Sequence, residues 1–83
     1  MEKTIYSREY QVFLKELRDA RERSSLTQTQ LAEKLGQTQS FISKMERGER
    51  RVDIVELRAI CAALGVPFIK FVSSLDRAFH SQD

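Results

Sequence analysis

The sequence is poor in the residues that break a chain or staple it. It has no tryptophan, one proline, three glycines and one cysteine among 83 residues. A lone cysteine excludes an internal disulfide framework and fits a reducing compartment, the cytoplasm. Cys61 stands among Ile60, Ala62 and Ala63, so it is expected to be a small buried residue and not a reactive thiol. Scarce proline and glycine argue against a disordered or linker-rich chain. No apolar run approaches the ~20 residues that a membrane-spanning helix needs. Met1 to Arg8 lacks the apolar stretch of a signal peptide. The single histidine, His80, lies near the C-terminal end, and no carboxylate pair, glycine-rich phosphate loop or metal-ligand spacing accompanies it. No enzyme activity, cofactor or metal is therefore expected. Alternating apolar and polar runs are also missing, which removes the signature of half-buried strands.

What is present is helical periodicity, in five segments. The first, from about Ser7 to Arg23, places Tyr10, Phe13, Leu14, Leu17 and Ala20 on one face. The second opens with Thr27 as cap and Gln30 three residues on, flanked by Leu26 and Leu31 as a hydrophobic staple; Gly36 suits its end. The third is capped by Thr38 and stops before Gly48, with Ile42 and Met45 facing inward. The fourth repeats the capping pattern with Asp53, Glu56, Val52 and Leu57, and Gly65 stops it. The fifth begins at Pro67, a residue favoured at the first helical position, and runs to about Phe79, with Ser81, Gln82 and Asp83 expected to fray. The expected architecture is all-α: a single five-helix domain over residues 1–83, its central helix pair at about 27–47 and its C-terminal helix at about 67–79.

The net charge of +2 decides little, but its distribution says more. Residues 37–51 carry Lys44, Arg47, Arg50 and Arg51 against Glu46 and Glu49, whereas residues 52–83 are slightly acidic. A basic stretch beside a helix with a polar outer edge fits a phosphate-bearing partner.

The order and spacing of several pieces resemble the phage repressor and Cro type of helix-turn-helix, the XRE-like regulators. These pieces are Leu17-Arg18-x-x-Arg21, Leu26-Thr27-Gln28-x-x-Leu31-Ala32-x-x-Leu35-Gly36, Ser40-x-Ile42-Ser43-x-x-Glu46-x-Gly48 and Leu57-x-x-Ile60-x-x-x-Leu64-Gly65-Val66. The resemblance covers roughly Leu14 to Leu75. It implies a repressor-like domain whose second and third helices form the helix-turn-helix, with the third in the major groove of double-stranded DNA. By motif position Gln39, Ser40, Ser43 and Lys44 would meet base edges; Gln28, Gln37, Thr38, Arg47, Arg50 and Arg51 would meet the sugar-phosphate backbone. The resemblance also implies a buried pair between Arg21 and Glu46, and a Gln28 that braces Gln39.

One such helix covers only a few base pairs, so a homodimer on a palindromic operator is expected. The fifth helix offers a seam for it in Phe68, Val72, Leu75 and Phe79, with Ile69, Phe71 and Ala78 adding apolar area; Tyr6 and Tyr10 form a second candidate surface. The expected function is sequence-specific DNA binding by a transcriptional regulator, a repressor. Variants of that role are an antitoxin or a restriction-modification controller, and the competing class is a protein-interaction module on the same fold. Gln39, Ser40, Ser43 and Lys44 include no acidic residue and few apolar atoms, which weighs against the latter.

Overall fold

A computed structural model describes residues 7–81. Expectations that concern residues 1–6, Tyr6 included, and Gln82 and Asp83 fall outside them. The chain forms α1 (Arg8–Arg23), α2 (Gln28–Leu35), α3 (Gln39–Glu46), α4 (Ile54–Leu64) and α5 (Phe68–Ser81). No strand occurs among the described residues.

Local chemistry sets the helix starts. The Ser7 hydroxyl accepts from the Tyr10 N–H at 3.1 Å, and the Thr38 hydroxyl from the Phe41 N–H at 3.1 Å. Two starts are reciprocal. Thr27 Oγ1 accepts from the Gln30 N–H while Gln30 Oε1 accepts from the Thr27 N–H. Asp53 and Glu56 do the same at 2.7 and 3.0 Å. Each satisfies two amides that a helix end otherwise leaves without partners. The Pro67 carbonyl accepts from the Lys70 and Phe71 amides, so Pro67 stands just before the helix instead of within it. At its other end α5 continues to Ser81, two residues beyond Phe79, and the Ser81 hydroxyl donates to the Ala78 carbonyl.

The helix ends are as regular. After α3 the Gly48 N–H returns to the Met45 carbonyl and the Glu49 N–H to the Lys44 carbonyl. This double return requires a left-handed residue, and Gly48 supplies it at φ 81°. A Cβ there would also stand 3.1 Å from Leu14 Cδ1. α1 ends the same way without a glycine. The Ser25 and Leu26 amides return to the Glu22 and Arg21 carbonyls, and Ser25 takes φ 60°. The sequence carries no stop signal at this point. The turn is held instead by the Ser24 hydroxyl, which lies 2.8 Å from the Ala20 carbonyl of its own helix and, as a tertiary contact, 3.1 Å from that of Leu64.

α2 packs on α3 and α4, while α1 packs on α3 and α5 and α4 on α5. Leu17, Leu31, Ile42, Met45, Ile60 and Cys61 fill the centre, each no more than 2% exposed. Each of the five leucine, isoleucine and methionine side chains among them contributes about 1.5–3 kcal/mol on withdrawal from water. Ala32 is buried, and its small side chain lets α2 cross its neighbours closely. Burial pushes the Cys61 thiol up from its ordinary range, away from the reactive thiolate. Phe13 and Phe71 meet edge to face, ring centres 6.4 Å apart, and tie α1 to α5. The Tyr10 hydroxyl accepts from the Val52 N–H at 3.2 Å, so α1 also fixes the loop that follows α3.

Two substitutions test the turn geometry. Ser25→Gly is expected to stabilise the protein by about 0.5–1 kcal/mol, because it relieves a left-handed non-glycine residue. Gly48→Ala is expected to destabilise it by about 1–2 kcal/mol through the backbone alone. Urea unfolding of the two variants checks both signs; a Ser25→Gly protein no more stable than the parent would reject the strain.

Candidate nucleic-acid interface

α3 is an eight-residue helix with two unlike sides. Ile42 and Met45 are 0% and 1% exposed and anchor it to the core. Gln39, Ser40 and Lys44 are exposed, as are Gln37 and Thr38 in the turn before it, and Ser43 is half-buried. The outer edge therefore presents an amide, two hydroxyls and an ammonium group, with no carboxylate among them.

The edge is connected to the interior by a chain of hydrogen bonds. Arg21 Nε and Nη2 donate to the two carboxylate oxygens of Glu46 at 2.7 and 3.1 Å, and Arg21 Nη1 donates to the Leu26 carbonyl at 2.9 Å. Both side chains are almost wholly buried, at 10% and 4% exposure. The pairing drives the Arg21 pKa further above its ordinary value, chiefly through the Glu46 hydrogen bond. Glu46 Oε1 also accepts from Gln28 Nε2 at 2.9 Å, and Gln28 Oε1 accepts from Gln39 Nε2 at 2.6 Å. Gln39 thus begins α3 with its amide already oriented. One N–H is engaged, while the second N–H and the carbonyl oxygen remain for another partner.

The cations around this edge differ sharply in how they are held. The Arg50 guanidinium makes a two-pronged contact with Glu56 at 2.7 and 3.1 Å, donates to the Arg51 carbonyl at 2.9 Å and lies 4.3 Å over the Phe41 ring. Arg47 makes a two-pronged contact with Glu49 at 2.8 and 3.3 Å and also donates to the Ser43 hydroxyl. Their arginine partners hold both glutamates below the usual carboxylate range, and the hydrogen bond is the larger cause in each. Lys44 and Arg51 enter no ion pair among the described residues. Residue spacing marks Glu56 as a helix cap alone. Its carboxylate in fact serves the cap and Arg50 together, a relation that nothing along the chain announces.

The α5 seam is divided. Phe71 is buried in the core, and Phe68 and Leu75 pack against it. Val72 and Ile69 are exposed, at 38% and 79%. Phe79 and Leu75 line an apolar groove of about 330 Å³ with Tyr10, Phe13, Ile54 and Leu57. Much of the apolar area that exceeds a core helix's needs by sequence therefore closes the core. Among the described residues no group of His, Cys, Asp and Glu is placed to hold a metal ion, and no helix is long and apolar enough to cross a membrane.

Comparison with known proteins agrees with this fold. The helix-turn-helix family model matches residues 17–71. The solved structure of an XRE-family like protein from Pseudomonas syringae pv. tomato str. DC3000 superposes with a TM-score of 0.81. It is 39% identical, and the match covers 89% of this chain and 90% of that one. No curated protein matches.

The buried pair generates a contrast between two neighbouring glutamates. Glu46→Ala strands the Arg21 charge and is expected to cost about 3–5 kcal/mol. Glu49→Ala removes an exposed pair and is expected to leave the melting temperature close to that of the parent. Thermal unfolding followed by circular dichroism measures both, and equal losses would remove Arg21–Glu46 from its structural role.

Proposed function

The chain belongs to the XRE-like helix-turn-helix family of DNA-binding transcription regulators, and on that premise we propose that it is a cytoplasmic repressor that reads the major groove with α3 and binds a palindromic operator as a homodimer. The observation that carries this reading is the two-sided α3: fully buried Ile42 and Met45 behind, and the outward, carboxylate-free edge of Gln39, Ser40, Ser43 and Lys44 in front. A helix held this firmly presents its polar tips at fixed positions, as recognition of base edges requires.

In this reading each residue has a distinct task. Gln39 suits adenine. Its unengaged N–H donates to N7 and its carbonyl oxygen accepts from the N6 amino group, with Gln28 holding the amide in register. Lys44 suits guanine O6 and N7, and the Ser40 and Ser43 hydroxyls suit either purine. Gln28 at the start of α2, and Gln37 and Thr38 at the start of α3, place N–H groups and side chains near phosphates, where the helix dipoles also favour an anion. Arg51, exposed and outside any ion pair among the described residues, contributes most directly to phosphate binding. Arg47 and Arg50 first have to share or leave their carboxylates.

A homodimer gives two reading helices about one turn of DNA (~34 Å) apart. Its surface is the outer margin of α5, where exposed Val72 stands on the same helix as Leu75 and Phe79, which line the groove with Tyr10 and Ile54; Phe68 packs against the core. The competing module that binds protein but not DNA would place apolar groups on the α3 edge, and none of the four side chains there is apolar.

Three experiments test these assignments. Selection of bound sequences from random duplexes is expected to return a two-fold symmetric site. Gln39→Ala is expected to relax one base pair per half-site at a cost of about 1–3 kcal/mol. Arg51→Ala is expected to weaken all sequences alike and to flatten the log–log salt dependence by about 0.9 for each phosphate no longer neutralised. An unchanged preference in Gln39→Ala would move the reading role elsewhere. Sedimentation is expected to give a dimer at tens of micromolar (about the range a modest interface supports) and a folded monomer for Val72→Glu; a dimer that survives the glutamate would place the interface on another surface.

A further inference from the structure

We propose that Glu49 and Glu56 are internal phosphate mimics that hold Arg47 and Arg50 in the unbound protein, so that a loose encounter with arbitrary DNA gains neither arginine and a well-seated complex recruits both. The inference rests on the DNA-binding reading above and assigns to two acidic residues a part in its specificity.

A carboxylate and a phosphate offer a guanidinium the same pair of oxygens, and the fork of an arginine fits either. Both arginines beside α3 use that fork on a glutamate of their own chain, Arg47 on Glu49 and Arg50 on Glu56. Both pairs are open to solvent, with side-chain exposures of 55% and 54% for the first and 39% and 31% for the second. They are therefore exchangeable, unlike Arg21–Glu46. Their hold is modest, as for other exposed ion pairs. A phosphate fixed at short range displaces them, whereas one at longer range in a salt-screened encounter does not.

Release leaves no buried group without a partner: the Arg51 carbonyl loses its Arg50 donor but belongs to an exposed residue. Glu56 Oε1 still accepts from the Asp53 N–H at 3.0 Å when Arg50 departs, and Glu49 is exposed to water. In the unbound protein the Arg50 guanidinium also lies over the Phe41 ring. Departure of Arg47 has a second effect. It frees the Ser43 hydroxyl, which in the unbound protein accepts from that guanidinium. Recruitment of a backbone contact is thereby coupled to exposure of a base-reading group. Until then the cations on offer at this edge are Lys44 and Arg51.

The test compares the full chain with Glu49→Gln, Glu56→Gln and the double variant. Glu22→Gln is the control, since it makes the same charge change on α1 at a residue that pairs with neither arginine. A glutamine at position 56 still completes the helix cap, and circular dichroism confirms the fold of each variant. Fluorescence anisotropy measures binding to a random duplex and to the selected site, from about 50 to 200 mM salt. On random DNA each single variant is expected to bind roughly threefold tighter and to steepen the log–log salt slope by up to about 0.9, the double variant by about twice that. On the selected site the gain is smaller, so the ratio of specific to non-specific affinity falls. Equal tightening on both DNAs, or slopes matching Glu22→Gln, overturns the proposal while leaving DNA binding intact. A parent protein that binds no duplex at the lowest salt overturns both readings.

Discussion

The arrangement depends on one buried ion pair. Arg21 reaches from α1 to Glu46 at the end of α3, and its third donor takes the Leu26 carbonyl in the turn between α1 and α2. Three segments therefore meet at one guanidinium. Burying two charges is costly, and the net stability such a pair adds is small. What it adds is geometry, because a two-pronged contact permits one orientation and punishes the loss of either partner. No buried side-chain nitrogen or oxygen among the described residues lacks a hydrogen-bond partner, so the charge is fully compensated.

The same pair links the interior to the surface. Glu46 orients Gln28, and Gln28 orients Gln39, so a fixed charge inside the protein sets the direction of an amide at its outer edge. Hydrophobic packing works in parallel. Ile42 and Met45 hold α3 against the core, and Tyr10 and the Arg50–Glu56 contact hold the loop after it. A short helix has little stability of its own. In this protein its position is defined at both ends and along its inner side.

Electrostatics outside the core follow a different rule. The arginines next to α3 are engaged by neighbouring glutamates in open, solvated contacts, while Lys44 and Arg51 stand without ion pairs among the described residues. Buried charge thus fixes shape, and exposed charge remains exchangeable. Of the four cations in the basic stretch, Lys44 and Arg51 are the two left outside ion pairs among the described residues.

The sequence by itself determined the helices. The cap pairs Thr27–Gln30 and Asp53–Glu56, the stops at Gly36, Gly48 and Gly65 and the inward spacing of Ile42 and Met45 are local signals. Each acts within one or two turns, which is why it can be read directly. The α3 edge was legible for the same reason, since a side chain opposite a buried one faces out. Tertiary structure alone decided how much of α5 the core would cover, because helical periodicity gives the width of an apolar face and not the position of its neighbours. It also decided the partners of Arg47 and Arg50 and the left-handed turn at Ser25, which carries no glycine and is held by Ser24 and Arg21. Those outcomes depend on distances between segments that only packing brings together, and no spacing along the chain encodes them.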